Sequence, residues 1–266
     1  MSNDPAPGIW GNGNAYERYV GRWSRRVAPV FLSWLAVPPG RRWLDVGCGT
    51  GALCAAIDDL CSPSSIDGVE PSEGFLAAAR TNLGDRARLQ SGSAESIPLP
   101  DGSIDVVVSG LVLNFVPDAG AALAEMSRVA KRGGLLAAYV WDYGERMELM
   151  RYFWDVAIDL DPAVAPEAES ARFALCNPRS LRVLFRAAGL ADVDVTAIDI
   201  ATEFASFDDY WGPFLGGQGP APAYAISLDE PHRAALRERL RSALPVQADG
   251  SIALVARVWA VRGTVG

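Results

Sequence analysis

With 266 residues, half of them hydrophobic and 21% charged, the chain is long enough for one large α/β domain and too apolar to be disordered. A net charge of −8, a pI near 4.8 and no basic stretch beyond short pieces such as Arg22 to Arg26 argue against a nucleic-acid substrate. Cys48, Cys54, Cys61 and Cys176 form no C-x-x-C pair, and the one histidine, His232, stands far along the chain, so no metal site is expected.

In chain order, residues 1–14 are rich in Gly, Pro and Asn and read as a loose segment. They lack the basic region and apolar core of a signal peptide, and no apolar run reaches membrane-spanning length. With free thiols as well, a cytoplasmic protein is expected. From Ala15 to Ala36 the apolar spacing is helical, and Pro29 is expected to break the segment into two helices.

The chain is organised around Arg42 to Leu60. Trp43, Leu44, Asp45 and Val46 read as a buried strand, and Gly47, Gly49 and Gly51 as a tight turn into a helix. The amino-terminal N–H groups of that helix would favour a negative group in the turn. A second strand, Ile66 to Val69, ends beside an acid, Glu70, where adenine-nucleoside cofactors need a carboxylate for their ribose hydroxyls. The glycines formally satisfy the dinucleotide pattern G-x-G-x-x-G/A, but Asp45 next to the turn would repel a pyrophosphate.

Three blocks, LDVGCGTG, GVEPSEGF and GSAESIPLPDGSIDVV, occur in order. With them the chain resembles class I S-adenosylmethionine-dependent methyltransferases, most closely the small-molecule, quinone-biosynthesis-like type 11 enzymes, over residues 40–142. The resemblance implies a doubly wound, seven-stranded, mostly parallel Rossmann-like sheet with a last antiparallel strand. It implies S-adenosyl-L-methionine as cofactor, held by Tyr19, Asp45, Gly47, Cys48, Gly49, Glu70, Pro71, Ala94, Glu95, Gly110 and Leu111. An amino-terminal helix in that family lies across the cofactor mouth, which makes Tyr16, Arg22 and Trp23 further candidates. The family commonly has Asp where this chain has Ser93, leaving the adenine contact to Ser93 or Glu95. It often has His where Asn114 stands, so no proton removal is expected at that position.

The rest of the chain lies outside the resemblance. Ile104 to Ser109 reads as the central fourth strand, and Leu135 to Trp141 as the fifth, with Asp142 and Tyr143 at its end. Residues 143–190 read as a helical insertion. The segment Phe204 to Tyr224 carries six aromatics among glycines and prolines, and reads as a lid loop leading to a helix, within 204–245. Ile252 to Val261 reads as the last strand. One domain over 1–266 is expected, with Asn114, Trp141, Tyr143, Trp211 and Phe214 lining a site for a small, mostly apolar acceptor. An acceptor that ionises easily needs no base; otherwise Asp142 or Tyr143 could serve. A nicotinamide-dependent oxidoreductase and a non-catalytic cofactor-binding module are the alternative readings.

Overall fold

The computed structural model describes residues 20–217 and 219–266. Tyr16 and Tyr19, expected near the cofactor, lie outside the described residues.

Seven strands form one sheet: β1 (Arg42–Val46), β2 (Ser65–Glu70), β3 (Arg88–Ser91), β4 (Ile104–Gly110), β5 (Ala130–Trp141), β6 (Ala191–Phe204) and β7 (Ile252–Thr264). Their order is β3-β2-β1-β4-β5-β7-β6. β1 is parallel to β2, with Asp45 opposite Gly68, and parallel to β4, with Asp45 opposite Val108. β7 runs antiparallel to β5, as expected of the last strand, with Trp141 opposite Val258. The apolar run in β1 exists because both faces of that strand are covered: Trp43, Leu44 and Val46 have no exposed surface.

The helices follow local signals. Asn177 caps Pro178–Ala187 through the Ser180 amide, and Pro178 occupies its first turn. Ser72 caps α3 (Glu73–Leu83), which follows α1 (Arg22–Leu35) and α2 (Ala52–Cys61). Pro29 does not break α1, contrary to expectation; it sits inside one continuous helix. The buried face of Val27, Ala28, Phe31, Leu32 and Leu35 recurs at helical spacing, and its packing outweighs the missing N–H of the proline.

By its internal contacts the chain divides into two compact units. One holds residues 24–142, 174–199 and 257–266, and contains β1 to β5. The other holds residues 20–23, 143–173 and 200–256. Within residues 143–190, the helix Pro178–Ala187 lies in the unit of β1 to β5.

The second unit has its own aromatic core. Phe153 stacks on Phe214 at 4.5 Å, Trp154 lies 5.6 Å from Tyr224, and the Tyr210 hydroxyl donates to the Leu149 carbonyl at 2.8 Å. The buried carboxylate of Glu169 accepts from the Trp154 indole and from the Ala221 amide. Burial raises its pKa, while these donors favour the charged form.

The segment Phe204 to Tyr224, read from the sequence as a lid loop, contributes to this core. The segment forms a short helix (Phe207–Trp211), a 3-10 turn (Gly212–Gly216) and a helix (Pro220–Ser227). Phe207, Tyr210, Trp211 and Phe214 recur at i, i+3, i+4 and i+7, which is helical spacing. Phe214 has no exposed surface and Trp211 only 5%, so both act as core.

Candidate cofactor site

In an open α/β sheet, ligands bind beyond the strand ends where the strand order reverses. Here the reversal falls between β1 and β4. The turn after β1 and the end of β4 meet there: a Cβ at Gly47 would stand 2.7 Å from both Cγ atoms of Val112. Gly47 also has φ 74°, so the turn requires glycine on two counts. At Gly49, φ is 55°, yet a Cβ would meet nothing within 4 Å. Gly49 thus borders open space, as a ligand-facing position must.

The amides of the turn are already engaged. Those of Gly47 and Cys48 donate to the Val69 carbonyl at 2.8 and 3.1 Å, which fastens the turn to β2. The Gly51 amide donates to the Cys48 carbonyl. The Gly49 amide donates to Glu70 Oε2 at 3.0 Å, and the Ser72 amide to Glu70 Oε1 at 2.9 Å. The negative group expected at the start of α2 is the protein's own: Asp45, acted on by both the amide and the thiol of Cys54.

Two carboxylates therefore end adjacent strands. Asp45 is 1% exposed, and its pKa is raised to about 7, by burial first and by the Glu70 charge as well. The Cys54 thiol, 3.3 Å from Asp45 Oδ2, and the Cys54 amide pull the other way. Burial also raises Glu70, against the amides of Ser72 and Gly49. Two acids in a shared, poorly hydrated setting favour a cationic ligand over an anionic one.

The other wall of the switch point comes from the end of β4. Ser109 Oγ donates to the Val46 carbonyl at 2.9 Å and ties β4 to β1. Gly110 has no room for a side chain: a Cβ there would meet the Tyr139 hydroxyl at 2.6 Å. Leu111 holds φ 62°, a strained conformation for a branched residue, and its amide donates to the Tyr139 carbonyl at 2.8 Å. Three residues on, the Asn114 side-chain nitrogen is buried and has no hydrogen-bond partner among the described residues. An orphaned amide donor is costly unless a ligand or water satisfies it.

Of the expected cofactor residues, Asp45, Gly47, Cys48, Gly49, Glu70, Pro71, Ala94, Glu95, Gly110 and Leu111 all belong to the unit of β1 to β5. Glu95 differs from expectation in its bonding: its carboxylate accepts from the Asp118 amide at 3.0 Å, ahead of the helix Ala119–Val129. Asn114 and Trp141 share that unit, whereas Tyr143, Trp211 and Phe214 belong to the other. Trp141 is 3% exposed, and Tyr143 packs against Phe173 at 5.6 Å. Sequence reasoning missed Cys54 and the backbone strain at Leu111. Cys54 falls on the apolar face of α2 with Leu53 and Ile57, which reads only as core; nothing in the sequence marks Leu111 as strained.

This strand order, with a glycine turn after β1 and acids closing β1 and β2, is the class I methyltransferase fold. Residues 44–138 match the family model described as a methyltransferase domain. A demethylmenaquinone methyltransferase of Staphylococcus aureus is 34% identical over 117 residues, covering 43% of this chain and 47% of that protein. The matched stretch thus spans about half the length of the curated relatives. Among solved structures, the YcgJ protein of Bacillus subtilis aligns with a TM-score of 0.59 at 17% identity, covering 91% of this chain and 98% of that one. A phosphoethanolamine N-methyltransferase of Haemonchus contortus, in complex with S-adenosyl-L-methionine, aligns with a TM-score of 0.57 at 16% identity, covering 97% and 57%.

Proposed function

We propose that the chain transfers a methyl group from S-adenosylmethionine to a small, mostly apolar acceptor. The observation that carries this reading is the pairing of Asp45 with Glu70 around a turn whose amides of Gly47, Cys48, Gly49, Gly51 and Cys54 are all engaged within the protein. A pyrophosphate needs free amides and no facing acid. A ligand with ammonium, sulfonium and ribose hydroxyls suits two carboxylates. When bound, the cofactor supplies a methyl carbon made electrophilic by its sulfonium.

This chain's residues then have distinct roles. Glu70, oriented by two amides, keeps lone pairs for the ribose hydroxyls. Asp45 balances the cationic end of the cofactor. Gly49 lets the backbone approach. With Glu95 engaged at Asp118, Ser93 is the better adenine contact, beside Ala94. Asn114 offers its free N–H to the acceptor or cofactor. Catalysis rests on alignment and exclusion of water, not on a histidine base. Among the described residues no helix is long and apolar enough to cross a membrane; we place the reaction in the cytoplasm.

Calorimetry with S-adenosylhomocysteine and with NADH tests this reading. Micromolar binding of the first and none of the second is the expected result, and the reverse preference overturns it. A mass-spectrometric screen of candidate metabolites for a gain of one methyl group identifies the acceptor.

A further inference from the structure

We infer that Cys54 is a positioning residue for the cofactor site, its thiol holding the Asp45 carboxylate in place and in its charged form. The inference rests on the proposed cofactor reading and adds a role for a residue that reading does not use.

Asp45 and Cys54 are nine residues apart in sequence, on β1 and α2, and meet in the interior. The thiol donates to Asp45 Oδ2 at 3.3 Å, and Cys54 has no exposed surface. Asp45 is itself 1% exposed, so water cannot replace a lost donor freely. The groups acting on Asp45 are few. The amide and thiol of Cys54, from α2, favour its charge; Glu70, from β2, and burial oppose it. The Cys48 thiol, from the turn, shares a hydrogen bond with the Cys54 thiol. Among the described residues, Cys54 is thus the one neighbour whose side chain favours the anion. Its own thiol is held well above its ordinary range, by Cys48 first, then by burial and the Asp45 charge, so it remains a proton donor. A cationic ligand needs Asp45 ionised, and protonation of Asp45 competes with binding.

The sign follows. Without the thiol, Asp45 holds its proton to higher pH, and cofactor affinity falls most where wild-type Asp45 is still ionised in part. Affinity for S-adenosylhomocysteine is measured by calorimetry from pH 6 to 8.5 for wild type, Cys54→Ala, Cys54→Val and Cys54→Ser. The two donorless variants should shift the midpoint of the pH profile upward by about one unit. They should bind about tenfold more weakly at pH 6 and draw close to wild type at pH 8.5. Cys54→Ser, which keeps a donor, should retain the wild-type midpoint. Cys54→Val fills the site if Cys54→Ala leaves a destabilising void. In an Asp45→Asn background, Cys54→Ala should lose its pH-dependent effect. A constant weakening at every pH, or an unmoved midpoint in both donorless variants, overturns the inference. Failure of wild type itself to bind S-adenosylhomocysteine would instead overturn the cofactor reading.

Discussion

Glu70 Oε2 accepts a hydrogen bond from the Gly49 amide at 3.0 Å, joining the end of β2 to the turn after β1. Its other oxygen accepts from the Ser72 amide at 2.9 Å, just before α3. One carboxylate thus orders both the glycine turn and the start of the next helix. Glu70→Ala should weaken S-adenosylhomocysteine binding by roughly 2–4 kcal/mol, from charged hydrogen bonds of about 1.5–3 kcal/mol each with partial compensation by water. Amide exchange at Gly49 should quicken in the same variant. Unchanged affinity by calorimetry would remove Glu70 from the site.

Asp45 lowers stability when it is charged. Its pKa is raised from 3.8 to about 7, so the native state binds the proton more tightly than the unfolded chain does. Stability from this group is full below about pH 4 and is lost as pH rises through about 7. Asp45→Asn removes the buried charge. The variant should gain about 2–4 kcal/mol at pH 8 and lose that advantage below pH 4, while binding the cofactor poorly. Thermal melts of both proteins across pH 4–8 check the crossover.

The two turn glycines should respond differently to alanine. Gly47→Ala places a methyl group 2.7 Å from Val112 at φ 74°; Gly49→Ala meets only the cost of φ 55°. The second should lose about 1–2 kcal/mol of stability and the first clearly more. Val112→Ala should recover part of the loss at Gly47, because the three atoms nearest the new methyl group all belong to that side chain. Denaturant titrations of the three variants measure this.

Phe214 should behave as core. It stacks on Phe153 at 4.5 Å with 11° between the rings, and is fully buried. Phe214→Ala should therefore destabilise by about 3–5 kcal/mol, seen as a lower melting temperature. A stable variant whose sole defect is a raised KM for the acceptor would instead support the lid reading.

Local chemistry decided much of this protein. The apolar run Trp43 to Val46, the glycines after it and Glu70 at the end of the next strand were legible because each follows from a short-range rule: period, turn geometry and strand-end position. The caps at Ser72 and Asn177 are local as well, each made to an amide three residues on. The tertiary structure alone decided where those rules competed. Pro29 remains within α1 because long-range packing of Phe31 and Leu35 outweighs a missing N–H. Phe207 to Phe214 fold as helix and core because a stack with Phe153, distant in sequence, outweighs nearby glycines and prolines. The Asp45–Cys54 bond, the strain at Leu111 and the engagement of Glu95 at Asp118 each depend on segments brought together by the sheet. Hydrophobic period and turn chemistry act along the chain, whereas burial, pairing and desolvation are set by what folds against it.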